Sequence, residues 1–352
     1  CASALQFKES HSCALAVARP CVHTALAMGQ YWSWVSAMPQ HQPIHYGTSR
    51  PVVPLVDEAD SGCFHRSYDD RLWLFSRAWE PMDKSKTWAT LMIVHGTIDH
   101  SGVYAELAAR LASQGVAVFA SDMRGWGRSD GEPLYFHDVE TFAQDVVADY
   151  GRIHGEGSPY EFVHSRFLLG KSLGGLVMAW AAAEYPGLWT GLIGLSGAFQ
   201  VGAALHPSAP TVAALRVAAV FLPKLPIRQP FDPRLIVSDA AALRSWEEDP
   251  LVSRGKLTLG YILELLRASA GLPSMLQGLR VPVLMLWGTG DQVVLEEGHK
   301  IMMDASGNEA SEFIKYPGGF HNLLAEPSLK DFVMHDIERW VLKVSRGSPQ
   351  LR

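Results

Sequence analysis

The sequence predicts an α/β fold: a mostly parallel central sheet covered by helices on both faces, with a helical insertion lying over it. Three observations predict it. From about Cys63 onward, short continuous apolar runs alternate with segments of helical spacing, the pattern of repeated βαβ units. The runs lack a polar face, as strands buried on both sides require. The alternation is interrupted once, between Gln200 and about Arg280, where the pattern turns helical and rich in proline. A chain of 352 residues is long enough for one large domain with such an insertion, or for two domains.

Taken in order, "CFHRSYDDRLWLFSRAW" alternates around Asp69-Asp70 and predicts an antiparallel hairpin. "ATLMIVHG" is a run of the buried-strand type. "SGVYAELAARLASQG" has helical spacing, with Ser101 as N-cap and Gly115 as its stop. The strand "VAVFASD" follows, then an amphipathic helix from about Val139 to His154, the strand "RFLLG" and the apolar helix "LGGLVMAWAAAEY". "LWTGLIGLSGAF" and "VPVLMLWG" are two more buried strands, "EFIKYPGG" is the last, and "LKDFVMHDIERWVLKV" is a closing amphipathic helix. The organisation expected is a leader over 1–56, a core over 57–199 and 281–346, a helical cap over 200–280 and a tail over 347–352.

Composition excludes several classes. Nearly half the residues are hydrophobic and 19% are charged, which is globular rather than disordered composition. A net charge of −6 without a basic stripe argues against a nucleic-acid partner. Of the four cysteines, Cys1, Cys13 and Cys21 lie in the leader and Cys63 near the body, so neither a disulfide framework nor a metal knuckle is expected. The longest apolar run, "LGGLVMAWAAA", is far too short to span a bilayer. The leader is acid-poor and Ser/Ala-rich. It reads as a flexible segment, with an organelle transit peptide as one alternative. A myristoylation site at Gly29 is another, if Met28 initiates. The expected location is cytoplasmic or peripheral to a membrane.

Candidate chemistry gathers where strands end, since reactive groups in open parallel sheets collect at the carboxyl edge. Gly170-Lys171-Ser172-Leu173-Gly174 lies between a strand and a helix, the setting a G-x-S-x-G nucleophile turn needs. A serine nucleophile requires a base, and the base an orienting carboxylate. Asp291 follows the strand "VLMLWG", His321 follows the last strand, and the order Ser172, Asp291, His321 suits that turn. For the oxyanion, the expected donors are the amides of Leu173 and of Thr97 in His95-Gly96-Thr97. Asp122 and Arg124 in "DMRGWGRSDG" read as turn braces. Glu247, Glu248 and Asp249 read as a solvated helix end, with Asp249 a distant alternative to Asp291. No metal-ligand spacing occurs, and neither metal nor cofactor is expected. The segment "APTVAALRVAAVFLPKLPI" reads either as a buried helix or as a lid touching membrane or micelle.

With "HGTIDHSGVY", "DMRGWGRSDG", "GKSLGG", "WGTGDQVV" and "GGFHNLL" in that order, the chain from about Cys63 to Val344 resembles the monoacylglycerol lipase and lysophospholipase group of α/β-hydrolases. The resemblance implies a helical cap over the site and hydrolysis of a fatty-acyl ester of a small polar alcohol. It also implies a head-group site made of an acidic residue, an arginine and a second histidine. Asp99 fits the acidic position, but Val103 stands where the arginine is expected and Leu324 where the second histidine is. Lys171 replaces the histidine usual before the nucleophile. Loss of matched polar groups weakens discrimination, so lysophospholipids or other single-chain esters stand beside monoglycerides as expected substrates. Rival readings are an acyltransferase, an aminopeptidase, or a slowly turning small-molecule receptor.

Overall fold

The computed structural model describes residues 52–54, 62–202, 208–228 and 232–347. Apart from 52–54, the expected leader, with Cys1, Cys13, Cys21, Met28 and Gly29, lies outside the described residues, as does the tail from 348.

An eight-stranded sheet forms the centre, built from β1 (Gly62–Arg66), β2 (Trp73–Trp79), β3 (Ala89–Val94), β4 (Val116–Ser121), β5 (Ser165–Lys171), β6 (Gly191–Leu195), β9 (Val283–Gly288) and β10 (Glu312–Tyr316), in the order β1-β2-β4-β3-β5-β6-β9-β10. The hairpin β1–β2 and the β2–β4 pair are antiparallel, and every other pairing is parallel. The strands alternate faces although their sequences do not alternate polarity. Leu91, Ile93, Phe167, Leu169, Leu284 and Leu286 pack on one face, beneath α1 (Ala105–Ser113) and α8 (Lys330–Gly347). Met92, Val94, Leu168, Val283 and Met285 pack on the other, against α2 (Val139–His154), α3 (Leu173–Glu184) and α7 (Glu296–Ser306). Helices on both faces leave no water-facing side for polar residues, which is why the runs read as continuous.

Helix α3 is apolar on all sides because all sides are covered: Leu173 through Ala182 are buried. The amphipathic α8 buries only its Val333, Met334, Ile337, Trp340, Val341 and Val344 stripe.

Between β6 and β9 the chain leaves the sheet for the cap: α4 (Ala209–Phe221), β7 (Pro226–Arg228), α5 (Ala240–Glu248), β8 (Leu257–Thr258) and α6 (Leu259–Met275). The antiparallel β7–β8 pair was not expected, since strands of three and two residues are too short to leave a periodic signal. Helix α6 buries Tyr261, Ile262, Leu265, Ala268 and Leu272 in the same core as α3. Helix α4 departs from the buried-helix expectation, for Val217, Val220 and Phe221 are 65%, 74% and 79% exposed. Among the described residues no helix is long and apolar enough to cross a membrane.

Candidate active site

Ser172 stands between β5 and α3 with φ +52° and ψ −120°, a conformation costly for a residue with a side chain. Three backbone hydrogen bonds hold it there. Its N–H donates to Leu195 O at 3.1 Å, and its carbonyl accepts from Gly175 N at 2.9 Å and Ala198 N at 2.8 Å. The flanking glycines serve close approach rather than flexibility. A Cβ on Gly170 would lie 2.3 Å from Gly174 O, and one on Gly174 would lie 2.0 Å from Val94 O. Only glycine lets the turn pack against the end of β3.

The three residues separated in sequence meet at this turn. His321 Nε2 lies 2.9 Å from Ser172 Oγ, positioned to accept its proton, and His321 Nδ1 lies 2.8 Å from Asp291 Oδ2. The other Asp291 oxygen accepts from Val293 N at 2.8 Å and Val294 N at 3.1 Å, so the carboxylate cannot turn away from the imidazole. All three side chains are buried.

Thr97 lies in a turn closed by Asp99 N–H on Gly96 O at 3.2 Å. This loop lies against the serine: a Cβ on Gly96 would be 3.1 Å from Ser172 Cβ. Leu173 opens α3, where an N–H has no intrahelical acceptor. The loop is held from behind. His95 Nε2 accepts from Met123 N at 2.9 Å, and Trp126 Nε1 donates to Thr97 O. Burial lowers the His95 pKa, so it stays the neutral acceptor that Met123 N–H requires. Asp122 accepts from Ser101 N at 2.6 Å and Arg128 N at 2.9 Å, while Arg124 bridges Asp69 and Asp145. Both therefore brace turns around the site.

A cavity of about 230 Å³ adjoins the site, lined by Val103, Ile236, Leu243, Trp246 and Leu324 among apolar residues and by Asp99, Lys171 and Asp249 among charged ones. Asp99, Val103 and Leu324 are thus together on its wall, but Asp99 is engaged: its Oδ2 takes a 2.7 Å ion pair from Lys171 Nζ, both side chains being 3% exposed. Burial is the largest single influence on the Asp99 carboxyl and acts to raise it, yet the charge and hydrogen bond of Lys171, together with the neighbouring His95 and His100, hold the pKa below the usual range.

Two sequence readings need correction. Glu247 and Glu248 are exposed at the end of α5 as expected, but Asp249 after them is only partly exposed, and its Oδ2 accepts from His100 Nε2 at 2.9 Å. Its partner is His100 and not His321, so it takes no part in the serine's chain of hydrogen bonds. The roles of Lys171, Trp246 and Tyr261 near the Thr97 loop were missed. Trp246 Nε1 donates to Ile98 O at 3.0 Å, and Tyr261 Oη meets Thr97 Oγ1. Lys171 left one usable signal: a lone ammonium at the end of a buried strand demands a buried counter-charge.

His299, also buried, accepts from Gly197 N at 3.1 Å through Nε2 and donates to Leu295 O at 3.1 Å through Nδ1. Desolvation lowers its pKa from 6.5 to about 4. A folded pKa below the unfolded one gives stability that is fully present above pH 6.5 and is lost as pH falls toward 4. From about pH 7.5 to pH 5 this histidine should cost ~2 kcal/mol of unfolding free energy. Urea melts at the two pH values, with His299→Gln as comparison, read this directly, and equal pH slopes for both proteins would refute it.

A family profile, Hydrolase_4, described as serine aminopeptidase S33, matches residues 85–328. Human monoglyceride lipase is 32% identical over 277 residues, covering 77% of this chain and 88% of that one. Monoacylglycerol lipase of Mycolicibacterium smegmatis is 29% identical over 252 residues, covering 72% and 87%. In fold, the crystal structure of Paleococcus ferrophilus monoacylglycerol lipase superposes with a TM-score of 0.67 at 24% identity, over 77% of this chain and 99% of that one. With its sheet order, its serine turn and these matches, the chain belongs to the serine aminopeptidase S33 (Hydrolase_4) family of α/β-hydrolases.

Proposed function

We propose that the protein hydrolyses carboxylic esters of single-chain fatty acids, as a monoacylglycerol lipase or lysophospholipase does, through a Ser172-His321-Asp291 triad. The observation that carries this reading is His321 bridging Ser172 Oγ and the pinned Asp291 carboxylate. His321 Nε2 takes the Ser172 proton as Oγ attacks the ester carbonyl. The amides of Thr97 and Leu173 stabilise the oxyanion. His321 then gives the proton to the leaving alcohol, and Ser172 keeps the acyl group. Water, deprotonated by His321, attacks the acyl-enzyme and releases the fatty acid. Asp291 holds the imidazole in the tautomer with Nδ1–H and stabilises the cation that forms.

The largely apolar cavity favours an ester over a peptide with a free α-amino group. Both cavity carboxylates that would meet such an amine are already paired, Asp99 with Lys171 and Asp249 with His100. A fluorophosphonate probe should add to the Ser172 peptide, and a panel of monoacylglycerols, lysophospholipids and p-nitrophenyl esters should turn over while aminoacyl amides do not. Turnover of the amides with inert esters would reverse the assignment.

The exposed Val217, Val220 and Phe221 of α4, continued by Leu222 and Leu225, give the cap an apolar surface suited to a lipid aggregate. The double substitution Val220→Glu/Phe221→Glu should reduce turnover of vesicle-borne substrate by about tenfold or more. It should leave soluble p-nitrophenyl butyrate unaffected, and equal effects on both substrates would count against lipid contact.

A further inference from the structure

We infer that Lys171 is a positioning residue for the oxyanion pocket, acting through its buried ion pair with Asp99. The inference rests on reading Ser172 as the nucleophile and adds a part that neither the triad nor the oxyanion amides supply.

Lys171 ends β5 directly before Ser172 and is 2% exposed. An ammonium there is strongly unfavourable without a counter-charge. The counter-charge comes from the opposite half of the site, where Asp99 Oδ2 lies 2.7 Å from Lys171 Nζ. Asp99 is also the residue whose N–H closes the turn around Thr97 on Gly96 O, at 3.2 Å. Each proposed oxyanion donor therefore sits two residues from one end of the pair: Leu173 after Lys171, and Thr97 before Asp99. Between them the loop and the turn approach closely, for a Cβ on Gly96 would lie 3.0 Å from Asp99 Oδ2, 3.1 Å from Ser172 Cβ and 3.5 Å from Lys171 O. Turn, loop and ion pair make a closed ring. The ring sets how far apart the two amides stand, and oxyanion stabilisation depends on that spacing.

Besides Met123 N–H on His95 and Tyr104 Oη on Asp99, the loop has anchors from other directions. Tyr261 and Trp246 of the cap hold Thr97 and Ile98, and Trp126 holds the Thr97 carbonyl. Without the ion pair the loop would keep its cap anchors and the β3–β5 pairing behind it, yet lose the side-chain tie between Asp99 and the serine turn. The result is a folded protein with a mis-spaced pocket.

The test separates packing from positioning. In Lys171→Met/Asp99→Leu, two apolar side chains fill the site; such exchanges of buried pairs commonly keep or raise stability. The expected result is an unchanged or higher Tm, with kcat on p-nitrophenyl butyrate about 10- to 100-fold lower and KM within about twofold. The Ki of an alkyl boronic acid, whose tetrahedral adduct with Ser172 presents an oxygen to the pocket, should weaken by the same factor as kcat. Lys171→Arg, which keeps a cation for Asp99 and leaves no buried charge unpaired while changing the geometry of the pair, should show smaller losses in kcat and boronate affinity that run in parallel. It carries the comparison if the double variant does not fold. Activity and boronate affinity within about twofold of the parent overturn the proposal. So does a rise in KM at constant kcat, which would mean that the pair binds substrate directly. A parent protein with neither ester turnover nor fluorophosphonate labelling would instead refute the esterase reading.

Discussion

Ser172→Ala is expected to lower kcat on any ester substrate by about 10⁴- to 10⁶-fold and to abolish fluorophosphonate labelling, while the melting temperature stays near that of the parent or rises. Alanine removes the Ser172 hydroxyl that faces His321 Nε2 and leaves the main-chain hydrogen bonds of the turn in place. The strained turn is held by main-chain bonds from Gly175, Ala198 and to Leu195, none of which involves the hydroxyl. Strain at φ +52° is a cost the fold already bears for the sake of the hydroxyl, so losing the hydroxyl does not add to it. Burst kinetics with p-nitrophenyl butyrate and intact-mass labelling measure both effects. Full labelling of the alanine variant would place the nucleophile elsewhere.

Asp291→Asn should be nearly as damaging, about 10⁴-fold in kcat at neutral pH, although it changes a single heavy atom. The reason lies in the two amides behind the carboxylate. Val293 and Val294 N–H both donate to Oδ1, so an asparagine there keeps its carbonyl oxygen toward them. Its NH₂ group then occupies the place of Oδ2, facing His321 Nδ1 at about the present 2.8 Å. That nitrogen must become the acceptor, which puts the imidazole proton on Nε2. A protonated Nε2 cannot take the Ser172 proton. The ¹⁵N shifts of the His321 ring report the tautomer, and turnover reports its consequence. Normal activity with an unchanged tautomer would remove Asp291 from the mechanism.

Several elements were legible in the sequence for reasons that the structure makes plain. The buried strands announced themselves because helices cover both faces, leaving no polar alternation to dilute the apolar runs. The Ser172 turn was legible because its glycines answer local contacts, such as the 2.0 Å approach of a Gly174 Cβ to Val94 O. Asp291 and His321 were legible because each follows a strand end at the edge where parallel sheets collect reactive groups. The cap was less so. Its β7–β8 pair is too short for periodicity, and the uniform apolarity of α4 suits burial and exposure equally.

The sequence by itself determined the α/β class, the order of the core elements and the three residues that converge at the strand ends, because these depend on chain-local spacing and polarity. Only the tertiary structure decided which charges face each other. Lys171 with Asp99 and His100 with Asp249 are pairs separated by 72 and 149 residues. No spacing rule reaches across such distances, and a buried charge is tolerated only where folding delivers its partner. The site that the sequence presents as a serine with a base is, in the folded chain, also an ion pair joining its two halves.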